Sequence, residues 1–593
     1  MKKLISIIII TYIAIQAFAF AADYNFGPKE LRRHVEFLAS DRMKGRKPGT
    51  AEDKKSAKYI KEIMKSAGLE LLFDGGFQPF RVVTGLEAGK SNMLKVGSLN
   101  AKLGRDFMPA AFSADTTFSG NLVFAGYGLD IKTDLIKWND YENIDVTGKW
   151  VMVIKGSPKS NNKNVRFDDY SSNRAKALLA KDKKAAGIIF VASAMNDKTD
   201  KLPLLTFEDG KSSVGIPAIH VTRAYADKIL KSKGMTIESI GSVINDSLKF
   251  VKFTFDDKID AVTQVVRIDG ETRNVAGIIG GTDPKLKDEY IVIGAHYDHL
   301  GMGGAGSGSR MPDTSAVHNG ADDNASGSAA MLELVRYFGK HPVKRSLVFV
   351  AFGAEEMGAL GSKWFTDNPP VDIRKIKFMF NFDMIGRIDS VDKVLTLTGT
   401  GTGQGLDSLL KLLENGSGLS LTMLPEGAGP SDHSPFYAKD IPVLNFFGKA
   451  HMDYHTPFDD SEKIYFGGLQ LITAFAATAI EKIAGLPNSL AFRESGPKTA
   501  ATGNRAGLKT TLGIMPDFSA KDIKGLRVEV VTPGKPASRA GMLKGDIITA
   551  IEGKPVNDIY DYTLRMKQFQ PGDRINIDIL RNGKKEIIIV ELL

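Results

Sequence analysis

The sequence of 593 residues contains no cysteine. Disulfide bonds and a cysteine-linked lipid near the amino terminus are therefore excluded, and any metal site must do without thiolate ligands. Beyond the first 22 residues, no apolar run is long enough to cross a bilayer. We expect no stable membrane anchor in the mature protein.

A strong charge of one sign is also missing. The formal net charge is +9 and falls to +7 when Lys2 and Lys3 leave with the amino-terminal segment (9 − 2 = 7). Lysine-rich pieces such as KDKK at 181–184 have a spacing typical of a solvated helix face, and arginines do not alternate with aromatic residues as they do in nucleic-acid binders. Nucleic acid is not an expected partner.

The first residues are typical of a secretory signal. A lysine pair, an apolar stretch and small residues before Ala21 and Ala22 follow one another. We expect a signal peptide at residues 1–22 and a mature protein that is periplasmic or secreted.

Histidines and carboxylates stand directly after apolar runs that are typical of buried strands. Such runs predict a parallel sheet in an α/β fold, and α/β sheets bind ligands at the carboxyl ends of their strands. The residues in these positions are His296, Asp298, Asp322, Asp323, Glu355, Glu356, Asp383 and His455.

A single histidine or aspartate at a strand end is more often a cap or a satisfied polar group than a ligand. The joint pattern indicates more, because seven of the nine histidines lie between His296 and His455. The adjacent acids Glu355 and Glu356 would also repel each other unless a cation compensated their charge. The sequence therefore predicts a two-metal hydrolase.

These motifs resemble peptidase family M28, the co-catalytic di-zinc aminopeptidases. The resemblance covers LRRHVEFLASDRMKGRKPGT at 31–50 and most of 265–486, with five motifs in the family's order. It implies two zinc ions per chain, one held by His296 and Asp383, the other by Glu356 and His455, with Asp323 bridging both. It also implies that Glu355 is the general base, that Asp298 orients the His296 imidazole, and that Tyr454 polarises the scissile carbonyl.

Charge balance agrees with this ligand set. Two Zn²⁺ ions carry four positive charges and three carboxylates return three negative ones, which leaves one for a bridging hydroxide. Neighbouring side chains on an extended chain point in opposite directions, so we expect Glu355 to be free for proton transfer while Glu356 binds metal.

The fold class we expect is α/β, with a mixed, mainly parallel sheet flanked by helices. After the signal peptide at 1–22, the peptidase domain occupies 23–112 and 260–486. A β-rich stretch at 113–259 resembles the protease-associated (PA) domain, either as a substrate-guiding lid or as a structural insert. A linker at 487–506 follows.

Residues 507–593 resemble a small, mostly β PDZ domain of the bacterial type. The resemblance is carried by Pro536, Ala540-Gly541, Gly545-Asp546 and Gly553. It implies that the loop Leu512-Gly513-Ile514 holds the carboxylate of a C-terminal peptide. The alternative is a docking or stability module without a free ligand.

The expected protein is a zinc-dependent aminopeptidase acting on peptides with a free amino terminus. A metallo-carboxypeptidase of the same family and a catalytically silent peptide-binding scaffold are the alternatives. A single-zinc cyclase is disfavoured because all five ligands are present. We assign His299 and His433 only to the pocket, and His318 and His451 to loops.

Overall fold

The structure is a computed structural model that describes residues 26–132, 137–159, 167, 171–195, 198–206, 213–247, 249–496, 510–516, 525–532, 534–556, 562, 565–566 and 569–592. The expected signal peptide at 1–22 lies outside the described residues.

The predicted peptidase domain is built on a nine-stranded mixed sheet. At its centre, Tyr290–His296 lies between Ser346–Phe352 and Ile376–Phe382 and is parallel to both. Its strands in chain order are Glu70–Leu71, Phe77–Ala88, Val265–Ile279, Tyr290–His296, Ser346–Phe352, Ile376–Phe382, Val394–Thr398, Ser420–Leu424 and Val443–Phe447.

The central strands are apolar throughout because both faces of the sheet are covered. In Ser346–Phe352 every residue is buried, and its side chains alternate between two separate cores. The helices around the sheet are Pro28–Leu38, Ala51–Ser66, Gly327–Lys340, Leu360–Asp367, Leu406–Glu414, His433–Tyr437 and Phe466–Gly485.

The insert predicted at 113–259 forms its own eight-stranded sheet. Its strands are Met93–Val96, Leu99–Asn100, Phe107–Pro109, Thr116–Ala125, Trp150–Ile154, Gly187–Val191, Ala218–Val221 and Lys252–Thr263, with a separate ribbon of Asp130–Lys132 and Lys137–Asn139. Its helices are Asn173–Asp182, Arg223–Leu230 and Ile237–Ser247.

This sheet extends beyond the predicted bounds of the insert. Met93–Val96 pairs with Lys252–Thr263, so the predicted boundary at residue 113 lies inside the sheet and residues 260–263 still belong to it. The strands Phe77–Ala88 and Val265–Ile279, which pair with each other in the catalytic sheet, lead into and out of the insert.

The carboxyl-terminal domain is a six-stranded sheet with a short helix, Pro536–Arg539. Its strands are Ile514–Pro516, Leu526–Val531, Ile547–Ile551, Lys554–Pro555, Arg574–Arg581 and Lys584–Glu591. The first part of the predicted linker, residues 487–496, packs on the catalytic domain through hydrogen bonds to Gln404 and Thr402.

The predicted fold class is confirmed: a mixed sheet flanked by helices, a β-rich insert and a small β domain. Within the described part of the chain, no helix has the length and apolar character needed to span a membrane.

Candidate metal centre

Three neighbouring parallel strands bring the predicted ligands to one edge of the sheet. His296 is the last residue of its strand, Asp383 directly follows Phe382, and the Glu355-Glu356 pair follows Phe352 after a two-residue connection. Because these strands are adjacent and parallel, their carboxyl ends meet.

The first cluster consists of His296, Asp323 and Asp383. The Nε2 atom of His296 lies 3.4 Å from Oδ1 of Asp323 and 3.4 Å from Oδ1 of Asp383. All three residues offer ligand atoms close enough together to hold one metal ion.

The second cluster uses the other oxygen of Asp323. Nε2 of His455 lies 3.1 Å from Asp323 Oδ2 and 3.0 Å from Glu356 Oε2. Two ligands bound tetrahedrally to one zinc ion at 2.0 to 2.2 Å are about 3.3 Å apart. The separations in both clusters are close to that value, and Asp323 faces both with different oxygens.

The ring of His455 is oriented so that one nitrogen faces the second cluster. Its Nδ1 lies 3.1 Å from the carbonyl oxygen of Gly308 and can only donate there. The other nitrogen, Nε2, is buried, makes no hydrogen bond to the described residues and faces two carboxylate oxygens. Nε2 is therefore the nitrogen that would bind a cation held by these carboxylates.

Asp323 is held by a carboxylate that the sequence analysis missed. Oδ2 of the buried Asp459 accepts hydrogen bonds from the amides of Asp322, at 3.0 Å, and Asp323, at 3.1 Å. Asn324 then donates to Phe382 O and accepts from Met384 N, so the turn carrying Asp323 is tied to the strand end carrying Asp383. The one sequence signal for Asp459 is that it stands next to a second aspartate in TPFDD.

Asp298 makes different contacts from those expected. Its Oδ1 lies 3.9 Å from His296 Nδ1, which is too far for a hydrogen bond, so the predicted orienting bond is not formed. Asp298 instead accepts from the amides of Glu355, at 3.0 Å, and Glu356, at 3.3 Å. The buried carboxylate thus fixes the turn that carries both glutamates.

The two glutamates do not lie on an extended chain, as the sequence analysis expected. Ala354 has a φ of 58°, and residues 355–358 form a bend and turn rather than an extended chain. Glu355 Oε2 lies 3.9 Å from His296 Nε2, whereas Glu356 Oε2 lies 3.0 Å from His455 Nε2. Each glutamate therefore faces a different cluster, through turn geometry.

Tyr454 lies against the same centre. Its ring stacks on that of His455, with centroids 3.8 Å apart. Burial, and then the charges of Asp323 and Glu356, raise the pKa of Tyr454 well above its usual value. The phenol stays protonated at neutral pH and is available as a donor.

The amino-terminal segment supports the centre through Arg46. This fully buried guanidinium donates to the carbonyl oxygens of Leu38, Tyr297, Asn319 and Gly320 at 2.6 to 3.0 Å. Burial lowers the pKa of Arg46 to about 10, so it remains charged at neutral pH. It joins the first helix to the strand end at Tyr297 and to the turn before Asp323.

Two histidines predicted to be loop residues are buried beside the centre. His451 Nε2 lies 3.1 Å from Asp322 Oδ2, and His318 is bonded to Ser309 and to the carbonyl of Ala316. His433 is also buried.

Arg310, which follows the glycine-rich loop at 301–309, contacts the carboxyl-terminal domain. Arg310 N donates to His455 O at 2.9 Å, and its guanidinium donates to the Thr532 hydroxyl at 3.2 Å. Thr532 N donates to the carbonyl of Gly513, which has a φ of 71°. Leu512 is buried, and Ile514 begins a strand and pairs with Val531.

Comparison with known proteins identifies the three domains. A family model for peptidase family M28 matches residues 274–480, one for the PA domain matches 118–229, and one for the PDZ domain matches 506–592. Residues 274–480 are thus assigned to peptidase family M28, in a chain that also carries a PA insert and a carboxyl-terminal PDZ domain.

Among curated relatives, aminopeptidase YwaD of Bacillus subtilis (strain 168) is 26% identical over 449 residues, covering 73% of this chain and 81% of that protein. Leupeptin-inactivating enzyme 1 of Streptomyces exfoliatus is 34% identical over 174 residues, covering 29% of this chain and 34% of that protein. The chain thus matches most of the first relative but about a third of the second.

Solved structures of similar architecture include the zinc aminopeptidase BSAP from Bacillus subtilis, with 21% identity and a TM-score of 0.46, covering 78% of this chain and 97% of that one. An aminopeptidase from Aneurinibacillus sp. strain AM-1 has 21% identity and a TM-score of 0.44, covering 80% of this chain and 98% of that one.

Proposed function

We propose that this chain is a zinc-dependent aminopeptidase that removes amino-terminal residues from peptides at a co-catalytic centre of two metal ions. The observation that carries the proposal is the position of Asp323, whose two oxygens face His296 and His455 at 3.4 and 3.1 Å. His296 and Asp383 complete one site, and Glu356 and His455 the other. Nitrogen and oxygen donors of this kind suit zinc.

When bound, paired ions lower the pKa of a water molecule and polarise a carbonyl oxygen. Glu355 takes the proton of the attacking water and passes it to the leaving amine. Burial raises the pKa of Glu355 well above its usual value, which suits a group that must accept a proton and release it again. Tyr454 donates a hydrogen bond from its phenol to the oxygen of the scissile carbonyl, which polarises that carbonyl.

Two arginines beside the centre are already engaged and do not offer a free cation to a substrate carboxylate. Arg46 is bonded to four carbonyl oxygens. Arg387 is paired with Asp453 at 2.8 Å. This arrangement argues against the carboxypeptidase alternative, and the complete ligand set argues against a silent scaffold.

We further propose that the protein is exported to the periplasm or secreted, on the basis of residues 1–22, and that the PDZ loop Leu512-Gly513-Ile514 binds a C-terminal peptide. Arg310 bonds both His455 O and Thr532, so the PDZ domain lies beside the segment that carries His455.

Acetylation of the substrate's α-amine should reduce kcat/KM at least about 100-fold if the site binds a free amino terminus. A leucyl tripeptide, its N-acetyl form and its C-terminal amide are compared, with products separated by mass. The amide should be cleaved like the free peptide. Equal cleavage of acetylated and free peptides would contradict the aminopeptidase proposal, and loss of cleavage with the amide alone would favour the carboxypeptidase.

A further inference from the structure

His299, in the HYDHLG segment, makes a short contact with the proposed metal ligand Glu356. Its side chain is fully buried, and Nδ1 lies 2.6 Å from Oε1 of Glu356. The ring is held in place because Gly320 packs on it: a Cβ atom at Gly320 would lie 2.5 Å from His299 Cδ2. The ring therefore cannot move toward Gly320.

Two interpretations of this contact are open, since His299, Asp323 and Glu356 could also be grouped around one ion. Distances decide between them. Two ligands of one tetrahedral zinc ion are about 3.3 Å apart, and the four distances from histidine to carboxylate within the two clusters are 3.0 to 3.4 Å. The 2.6 Å between His299 and Glu356 is shorter and is a charge-assisted hydrogen-bond length.

The remaining distance agrees with a hydrogen bond. Nδ1 of His299 is 3.8 Å from Asp323 Oδ2, whereas Nε2 of His455 is 3.1 Å from the same oxygen. His455 thus occupies the ligand position, and His299 lies behind Glu356. A carboxylate only accepts, so the proton in the contact belongs to Nδ1 of His299.

The two oxygens of Glu356 consequently have different partners. Oε2 faces His455 at 3.0 Å, while Oε1 accepts from His299. The Glu356 amide is also fixed, since it donates to Asp298 at 3.3 Å. The hydrogen bond at Oε1 therefore fixes the orientation of the carboxylate, with Oε2 directed at His455.

We propose that His299 is a positioning residue that makes Glu356 a one-oxygen ligand of the second metal ion, a role that rests on the proposed function because it presumes an ion at that site. His299 does not bind the metal. Without its hydrogen bond, Glu356 can rotate or bind through both oxygens, which changes the coordination number and weakens the site. Loss of such a supporting hydrogen bond costs about 10- to 100-fold in metal affinity or activity.

The test compares His299→Leu, which approximates the volume but has no donor, with His299→Asn, whose amide N–H lies near the position of Nδ1. His220→Asn is the control, a buried histidine of the PA insert. Each full-length protein is freed of metal and titrated with Zn²⁺ against a chelating indicator. The Co²⁺-loaded forms are compared by visible absorption, whose intensity falls as coordination rises from four to five or six.

We expect His299→Leu to bind the second ion about 10- to 100-fold more weakly, with weaker Co²⁺ absorption and the first ion unaffected. His299→Asn should recover most of that affinity, and His220→Asn should match the wild type. Wild-type affinities and spectra in His299→Leu would overturn the proposal, as would equal weakening in the leucine and asparagine variants.

A crystal structure of the zinc-loaded wild type tests the assignment even if a variant fails to fold. His299 Nδ1 should lie beyond bonding distance of both ions and within hydrogen-bond distance of Glu356. An Nδ1 to zinc distance of about 2.1 Å would make His299 a ligand and overturn the proposal. Failure of the proposed function is separately visible, as wild-type protein that binds two ions but leaves free peptides uncleaved.

Discussion

Replacement of Glu355 by glutamine will lower kcat by about 10² to 10⁴-fold while both metal ions stay bound. Glu355 Oε2 lies 3.9 Å from His296 Nε2 and so faces the centre, yet Glu355 belongs to neither ligand cluster. Glutamine keeps the size of the side chain and cannot accept the proton. KM should change little, since the charge removed acts in the proton transfer.

The neighbouring substitution provides the comparison. Glu356 lies 3.0 Å from His455 Nε2, so Glu356→Gln should weaken the second ion and lose activity that excess zinc partly restores. Bound zinc and kcat are measured side by side in both variants. Zinc loss in Glu355→Gln with none in Glu356→Gln would reverse the two roles, and full activity in either would remove that residue from the mechanism.

Asp323→Asn should have the largest effect on metal binding, because Asp323 is the residue that both ligand clusters share. An amide has one acceptor oxygen and no charge, so it cannot serve two cations. We expect affinity for both ions to fall by on the order of 10²-fold or more, beyond the loss from a supporting residue. Activity should fall with it at zinc concentrations that saturate the wild type.

Zinc content after equilibrium dialysis and kcat in added zinc are the measurements for this variant. Asp407→Asn, an exposed aspartate in the first turn of helix Leu406–Glu414, is the control and should behave as wild type. If Asp323→Asn lost one ion and kept the other at wild-type affinity, Asp323 would belong to a single site and the bridging role would be wrong.

The central strands, and the edge of the sheet where the proposed ligands lie, could be predicted from the sequence because each depends on a local pattern. Runs such as SLVFVAF are buried on both faces, and the polar residues that follow them lie where parallel strands end. The start of the insert was less predictable, since Met93 pairs with Val262, far away in the chain, and no apolar run marks the strand.

The contacts that support the ligands could not be predicted in the same way. His299 and Glu356 are 57 residues apart, and Asp459 and Asp323 are 136 residues apart. Their hydrogen bonds depend on how loops meet after the sheet has formed. A histidine close to a ligand in sequence gave no indication whether it binds metal, positions a ligand or packs in a loop. Likewise, Asp298 was expected to bond His296 but instead holds the turn after Phe352.

Zinc titration of the metal-free, full-length protein, with bound zinc and peptide hydrolysis followed together, tests the two-metal centre most directly. The centre formed by His296, Asp323 and Asp383 on one side and Asp323, Glu356 and His455 on the other predicts saturation at two ions per chain, with full activity reached only as the second ion binds. Saturation at one ion per chain with full activity would contradict it.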